Sequence, residues 1–347
     1  MIKRFINYAE RGLLPDKLIR LGIKKLCKDR LNWAKQMGSK NLEQFHQDFV
    51  EELKISPIAL IPKIVNEQHY EVPASFFEIV LGQNLKYSSA LWEKGVKNLD
   101  DAEQKMLDLT FDRAQIENGM NVLELGCGWG SLTCYMAKKV PDSKIVAVSN
   151  SRDQRLFIEN KCKQEKISNI KIITADMNDF TIADKFDRVI SIEMFEHMRN
   201  YHKLLEKINS FLQPSGKLFV HIFTHKEMVY PFEDSGDGDW MAREFFSGGI
   251  MPSHRLLLYF QEHLKIEKTW RVSGAHYSKT SKAWLENMDK NKFKLMPIIS
   301  KNYGIKNTNI WFQRWRIFFM ACEELFGLYS GTQWGVSHYL FKKEIAS

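Results

Sequence analysis

Cysteine is scarce in this sequence and has no regular spacing. Five occur among 347 residues, at Cys27, Cys127, Cys134, Cys162 and Cys322. They are scattered, odd in number and form no CxxC pair. That argues against a disulfide framework or a zinc site and leaves free thiols as the expectation, with no metal. No apolar run approaches the roughly 18–20 residues needed to span a bilayer. The opening MIKRFINYAERGLLPDK is charged too early and too often for a secretory signal, so a cytoplasmic protein is expected. There is no internal repeat and no low-complexity tract. What is present, 44% hydrophobic and 27% charged residues, describes an ordinary globular chain of one or two domains.

The net charge is +8, from 50 basic and 42 acidic residues. Much of the excess falls in 1–40 and 279–306, where solvated helix faces are the ordinary explanation. The sharper one is a peripheral membrane contact by 18–31, where Leu21, Ile23 and Leu26 alternate with Lys24, Lys25 and Lys28. No nucleic-acid-binding module accompanies the charge, so no such partner is expected. Monomer and homodimer both stay open.

Residues 1–70 read as a helical extension, with apolar residues at helical spacing over 13–26, 32–36 and 42–53, ended by Pro57 and Pro62. An aromatic stretch, 68–95, follows, with Pro73 near a helix start and Tyr87-Ser88-Ser89 in a loop. Another helix is expected over 101–115. From Asn121 the pattern alternates. Strands at 122–125, 145–149, 170–174, 188–192 and 217–223 are separated by helices at 131–139, 153–165 and 201–212. Such alternation predicts an α/β fold with a parallel sheet and helices on both faces. Segment 232–252, mixing glycines with acids, reads as an insertion over the site. Helices at 284–290 and 311–326 follow, and strands at 265–272 and 337–342 complete the sheet.

In an open sheet of this kind a ligand sits at the carboxyl ends of the strands. The first strand ends in NVLELGCGWGS (121–131), with Gly126, Gly128 and Gly130 at alternate positions. A Walker A loop needs GxxxxGK[ST], which is absent. The dinucleotide fingerprint wants a third glycine where Ser131 stands and an acid after the second strand, which ends instead in Ser149-Asn150-Ser151. S-adenosylmethionine has no phosphate and needs only close backbone approach. Asn150 and Gln154 suit its ribose and carboxylate, Asp176 its adenine amino group, and Met177 the face of the ring.

After the fourth strand comes Glu193-Met-Phe-Glu196-His197. If the chain turns helical there, the two acids and the histidine share one face. A solvated helix start would use acids in the same way; the strand-end position favours a function. Methyl transfer to an amine needs such groups. An ammonium has no lone pair, so a carboxylate anchors the cation and an imidazole with a pKa near 7 takes the proton.

These residues also carry a likeness. LELGCGWGS, SNSRDQ, ADM and MFEHM resemble class I methyltransferases of the cyclopropane fatty acid synthase group. QHYEVP, LKYSSALWEKG, FSGGIMPS, LLYFQ and VSHYLFKK look like its branch of coclaurine N-methyltransferase and related plant alkaloid N-methyltransferases. The likeness implies a Rossmann-like methyltransferase domain over 101–347, with a substrate cap inserted around 225–335. Residues 1–100 would form a helical extension and cofactor cover. It implies S-adenosylmethionine contacts from Tyr87, Ser88, Gly126, Ser149, Asn150, Gln154, Asp176 and Met177, and catalytic roles for Glu193, Glu196 and His197. The substrate would be a small, benzylisoquinoline-like amine in an aromatic pocket. Tyr329 and Trp334 are expected to line a cation cage there. Methylation of an unsaturated lipid is the alternative. In the group's cyclopropane synthases a bicarbonate is held partly by a cysteine where this chain has Ser89, and glycine generally stands where it has Glu193. Glu196, His221 and Tyr277 fit both. A third reading is a non-catalytic scaffold that binds membrane surfaces.

Overall fold

The computed structural model describes residues 2–60 and 72–344; the expected break at Pro62 and the stretch 68–71 lie outside them. Its centre is a seven-stranded sheet. In chain order the strands are β1 (Asn121–Leu125), β2 (Lys144–Ser149), β3 (Ile170–Thr174), β4 (Phe186–Ile192), β5 (Leu212–His225), β8 (Lys265–Ser273) and β9 (Trp334–Lys342). They lie in the order β3-β2-β1-β4-β5-β9-β8. β1 to β5 are parallel, and β9 and β8 are added antiparallel at one side. A separate ribbon pairs β6 (Tyr230–Pro231) with β7 (Ile250–Met251). The α/β class and the mostly parallel sheet expected from the alternation are both present.

β1 is the middle of the parallel half and helices cover both faces, so its side chains past Asn121 are buried. Val122, Leu123 and Leu125 are fully buried. β1 has β2 on one side and β4 on the other. The strand order therefore reverses at β1, which opens a crevice at its carboxyl end.

The three helical stretches expected in the N-terminal region form one helix, Asp16–Ile55, interrupted at Gly38 (φ 76°). A positive φ is accessible to glycine without a Cβ clash, so the kink falls there. The first half packs Ile19 and Cys27 inward and pairs Arg20 with Glu323 and Glu324 of the helix Thr308–Gly327, leaving Leu18, Leu21 and Leu26 exposed. The end of the extension reaches the crevice: Asn200 holds the carbonyls of Lys54 and Ser56, and Arg199 N–H donates to Ile58 O. All five cysteines are free. Among the described residues no helix is long and apolar enough to cross a membrane, and no cluster is suited to hold a metal.

Candidate active site

The glycine turn after β1 is built by hydrogen bonds to its neighbour. The N–H groups of Gly126 and Cys127 both donate to Val148 O at the end of β2. Gly126 (φ 80°) passes so close to the Glu193 segment that a Cβ there would stand 2.9 Å from Met194 Cβ. At Gly128 (φ 52°) a Cβ would meet no atom within 4 Å, because that position faces open space. Gly130 caps the helix Ser131–Lys139 and does not face the opening.

That space is a cavity of about 160 Å³. Its walls bring together Tyr87, Ser88, Gly126, Gly128, Ser149, Asn150, Gln154, Asp176, Met177, Glu193 and His197. They come from four strand ends and from the loop before the sheet, and their convergence follows from the topology. Ala59 closes one side and Ser247 and Gly248 of the insertion close another. Arg199 fixes that rim by donating to the carbonyls of Gly248 and Gly249.

The lining suits S-adenosylmethionine. Ser149 Oγ donates to Gln154 Oε1 at 2.6 Å, which leaves Gln154 Nε2, buried and without a partner among the described residues, available to a ligand. Ser131 Oγ is in the same state. Orphaned buried donors beside an open glycine backbone are features that a polar ligand completes. Glu124, at the end of β1, adds an acid that the sequence reading passed over. Burial pushes its carboxyl up to about 8, and its hydrogen bond from Thr133 Oγ1 (2.5 Å) pulls the other way. The available signal was an acid inside an otherwise apolar strand, VLEL.

The second half of the site differs from expectation. Past Ile192 the chain makes only a 3₁₀ turn, Phe195–His197, so no helix face is shared. Glu193 takes a left-handed backbone conformation (φ 48°), unfavourable for any side chain with a Cβ. The strain turns its carboxylate toward β5. Oε1 accepts from Ser89 N–H (3.0 Å) and from His221 Nε2 (3.1 Å), and Oε2 accepts from Tyr277 OH (2.6 Å). Lys86, whose burial lowers it to about 8, donates to Ser89 O at 2.9 Å and to Ser88 Oγ and adds its charge. Lys86 was not foreseen.

Glu196 is buried behind the cavity wall and does not line it. Burial raises both carboxyls. The donors and Lys86 draw Glu193 back, and its charge drives Glu196 further up. Of the two, Glu196 is pushed further up, and Glu193 keeps the donors and the nearby Lys86 charge that favour its ionised form. His197 lines the cavity and stacks on Phe246 at 4.8 Å between ring centroids. Burial lowers its pKa to about 4, not near 7 as expected, so it rests as the neutral imidazole.

A second cavity of about 740 Å³ lies between the N-terminal helices and the helix Thr308–Gly327. Trp33, Tyr230, Phe232, Trp240 and Trp334 are among its walls. Phe246 touches Phe232, so a line of rings runs from His197 toward this cavity. Trp334 faces it, fully buried, with Nε1 donating to Tyr230 OH. Tyr329 lines neither cavity. It is 56% exposed, because it and Ser330 turn the chain at the surface with φ of 48° and 58°.

Comparison with known proteins agrees with this geometry. A family model described as mycolic acid cyclopropane synthetase matches residues 62–331. The chain is 38% identical over 350 residues to (S)-coclaurine N-methyltransferase of Papaver somniferum, covering 99% of this chain and 98% of that one. It is 31% identical over 243 residues to the cyclopropane-fatty-acyl-phospholipid synthase of Escherichia coli K12, covering 70% of this chain and 59% of that one. A crystal structure of coclaurine N-methyltransferase bound to N-methylheliamine and SAH superposes with a TM-score of 0.95 at 34% identity, covering 98% and 99% of the two chains. The cyclopropane synthase MmaA2 from Mycobacterium tuberculosis shares the fold, with a TM-score of 0.68 at 20% identity, over 83% of this chain and all of that one.

Proposed function

We propose that this chain, which belongs to the mycolic acid cyclopropane synthetase family and is an S-adenosylmethionine-dependent methyltransferase, methylates the nitrogen of a small amine of the benzylisoquinoline kind. The observation that carries the reading is the Glu193 carboxyl at the cavity wall, met by three donors and lying in the field of Lys86. A buried carboxylate in that position favours a cation beside the cofactor, as an amine nucleophile is before it loses its proton.

When bound, S-adenosylmethionine supplies a sulfonium methyl that is already electrophilic. Gly126 and Gly128 admit its backbone-facing side, Gln154 and Asn150 hold its polar groups, and Asp176 and Met177 take the adenine. Tyr87 and Ser88 line the same cavity. Glu193 holds the substrate ammonium, and His197 takes its proton. Burial makes His197 a weak base in isolation, but it acidifies the ammonium as well, since both are cations losing solvent. Burial and the charge of Glu193 push the Glu196 carboxyl well up, which disfavours a second negative charge beside Glu193. The aromatic body of the amine lies toward the larger cavity, with Trp334 among its walls and Phe246 between that body and His197. Fixing nitrogen and methyl carbon in line supplies much of the rate.

The same contacts weigh against lipid cyclopropanation. Ser89 N–H, His221 and Tyr277, which could bind a free anion, are spent on the chain's own carboxylate. Incubating the protein with labelled cofactor and either benzylisoquinoline amines or unsaturated phospholipid is expected to label the amine alone. Cyclopropane formation without amine labelling would sink the reading.

Glu124 gives a second expectation. The cofactor has a net positive charge, and ionised Glu124 would neutralise part of it. A carboxyl with a pKa of about 8 in the free protein must then lose a proton on binding. Cofactor affinity is expected to rise between pH 6.5 and 8, by up to about tenfold per pH unit at the low end. Calorimetry in buffers of different ionisation enthalpy should detect the released proton, and Glu124→Gln should abolish it. Buffer-independent heats in the unaltered protein would refute the assignment.

A further inference from the structure

The Glu193 contacts extend well beyond the cavity. His221 on β5 and His338 on β9 are register partners, both fully buried, with His338 Nε2 2.9 Å from His221 Nδ1. On the far side, His338 Nδ1 stands 2.8 Å from Nη1 of Arg113, in the helix Leu99–Ala114. The guanidinium lies 4.9 Å over the ring of Trp270 on the edge strand β8, itself the register partner of His338. Four elements thus align one row of polar groups: Arg113, His338, His221, Glu193.

The row has a direction. Arginine only donates, so His338 Nδ1 must accept. A neutral imidazole carries one proton, which for His338 then sits on Nε2 and points to His221 Nδ1. His221 must in turn carry its proton on Nε2, facing Glu193 Oε1. We infer that Arg113 and His338 are positioning residues that set the tautomer of His221, so that Glu193 meets a donor and stays ionised. Without Arg113 the row can reverse. His338 would then donate through Nδ1, His221 would donate back to His338, and a lone pair would face the carboxylate. Glu193 would need a proton to keep the contact.

Burial supports this assignment by driving both histidines well below their ordinary pKa, so each is neutral with a single proton to place. The titratable groups facing Glu193 are Lys86, Glu196, His197, His221, Tyr277 and Cys322; those facing the histidines from outside are Arg113 and Lys86. Among them only the arginine is a permanent donor in contact with the two histidines, so it fixes their polarity at every working pH.

The inference rests on the reading of Glu193 as the ionised cation anchor, so its test has one arm that needs no substrate. Imidazole ¹⁵N resonances of the full-length protein should show the Nε2–H tautomer at both His221 and His338. In Arg113→Met, whose aliphatic stem can still cover Trp270, the Nδ1–H form should appear. An Nδ1–H tautomer at either position in the unaltered protein overturns the proposal, whatever the substrate proves to be. So does an unchanged spectrum in folded Arg113→Met. In the kinetic arm, Arg113→Met is expected to lower kcat/KM for the amine about 10- to 100-fold and to shift the acidic limb of its pH profile upward. Cofactor affinity should stay within a few-fold. His338→Gln has a carbonyl to accept from Arg113 and an amide to donate to His221, so it should lose less than His338→Leu. Equal losses at matched thermal stability would also overturn the relay. A tautomer change in Arg113→Met without a kinetic effect would uphold the orientation of the row and refute the role given to Glu193.

Discussion

Glu193→Gln is expected to lower kcat/KM for the amine by about 10²–10³, the usual cost of losing one preorganised electrostatic partner of a reacting group. The amide keeps the volume of the side chain and removes its charge. Three donors then converge on a group that has one acceptor and one donor end, so one of Ser89 N–H, His221 Nε2 and Tyr277 OH faces an NH₂. Lys86 meanwhile loses the carboxylate that acts on it more strongly and keeps Glu103. Much of the loss should appear as a raised KM for the ammonium substrate, with cofactor affinity changed only a few-fold. Glu193→Ala also leaves the carboxylate site empty. Breaking a buried charge cluster by removing one partner typically costs about 3–5 kcal/mol of stability. Glu193→Gly suffers the same electrostatic loss but releases the strain of φ 48°, worth about 1–3 kcal/mol. Glycine should therefore unfold at a higher temperature than alanine, with both poorly active. Steady-state kinetics with labelled cofactor, together with thermal unfolding, would check this. A kcat/KM for Glu193→Gln within tenfold of the unaltered value would remove Glu193 from the chemistry.

The parts of this molecule legible in its sequence are those fixed by local pattern and connectivity. The apolar runs at 122–125, 145–149 and 170–174 are strands because they are short, apolar and separated by helices. Once the sheet is parallel, Gly126, Asn150, Asp176 and Glu193 must meet at one end. The local reading fails where a long-range contact overrides it. Glu193, Glu196 and His197 are spaced for one helix face, but the chain takes a left-handed residue at Glu193 and a single 3₁₀ turn, with Met194 set close against Gly126. Residue type alone does not announce that conformation. Lys86 reads as an ordinary surface lysine until the fold buries it beside Glu193. Arg113 and His338 are 225 positions apart, and the pairing of β5 with β9 and β8 is what makes their contact. Tyr329 was chosen for its aromatic ring, and its place was decided by a surface turn that composition does not encode.

His197→Ala carries the second large expectation, a fall in kcat of about 10²–10⁴, the range for removing a positioned general base. The pH dependence makes the assignment specific. An aliphatic amine with a pKa of roughly 10 is about one part in a thousand neutral at pH 7. With His197 in place the ammonium binds at Glu193 and loses its proton on the enzyme, so kcat/KM should change little across pH 7–9. Without it, the reaction depends on the neutral amine drawn from solution. Log kcat/KM should then rise with a slope near one until the pH reaches the amine's own pKa. The unaltered protein has a further signature in its stability. The folded-state pKa of His197 is lowered to about 4 from an ordinary 6.5. Burying the neutral ring is therefore stabilising relative to the charged form above pH 6.5, and that contribution is lost as the pH falls toward 4. His197→Ala should lose less stability than the unaltered protein between pH 6.5 and 4, by about 3 kcal/mol at most. Cofactor affinity, measured by calorimetry, should move much less than turnover, because the ring meets the substrate nitrogen. If the variant keeps a flat pH profile with only a modest loss in rate, proton removal does not pass through His197. The loss would then reflect the vacated stack on Phe246.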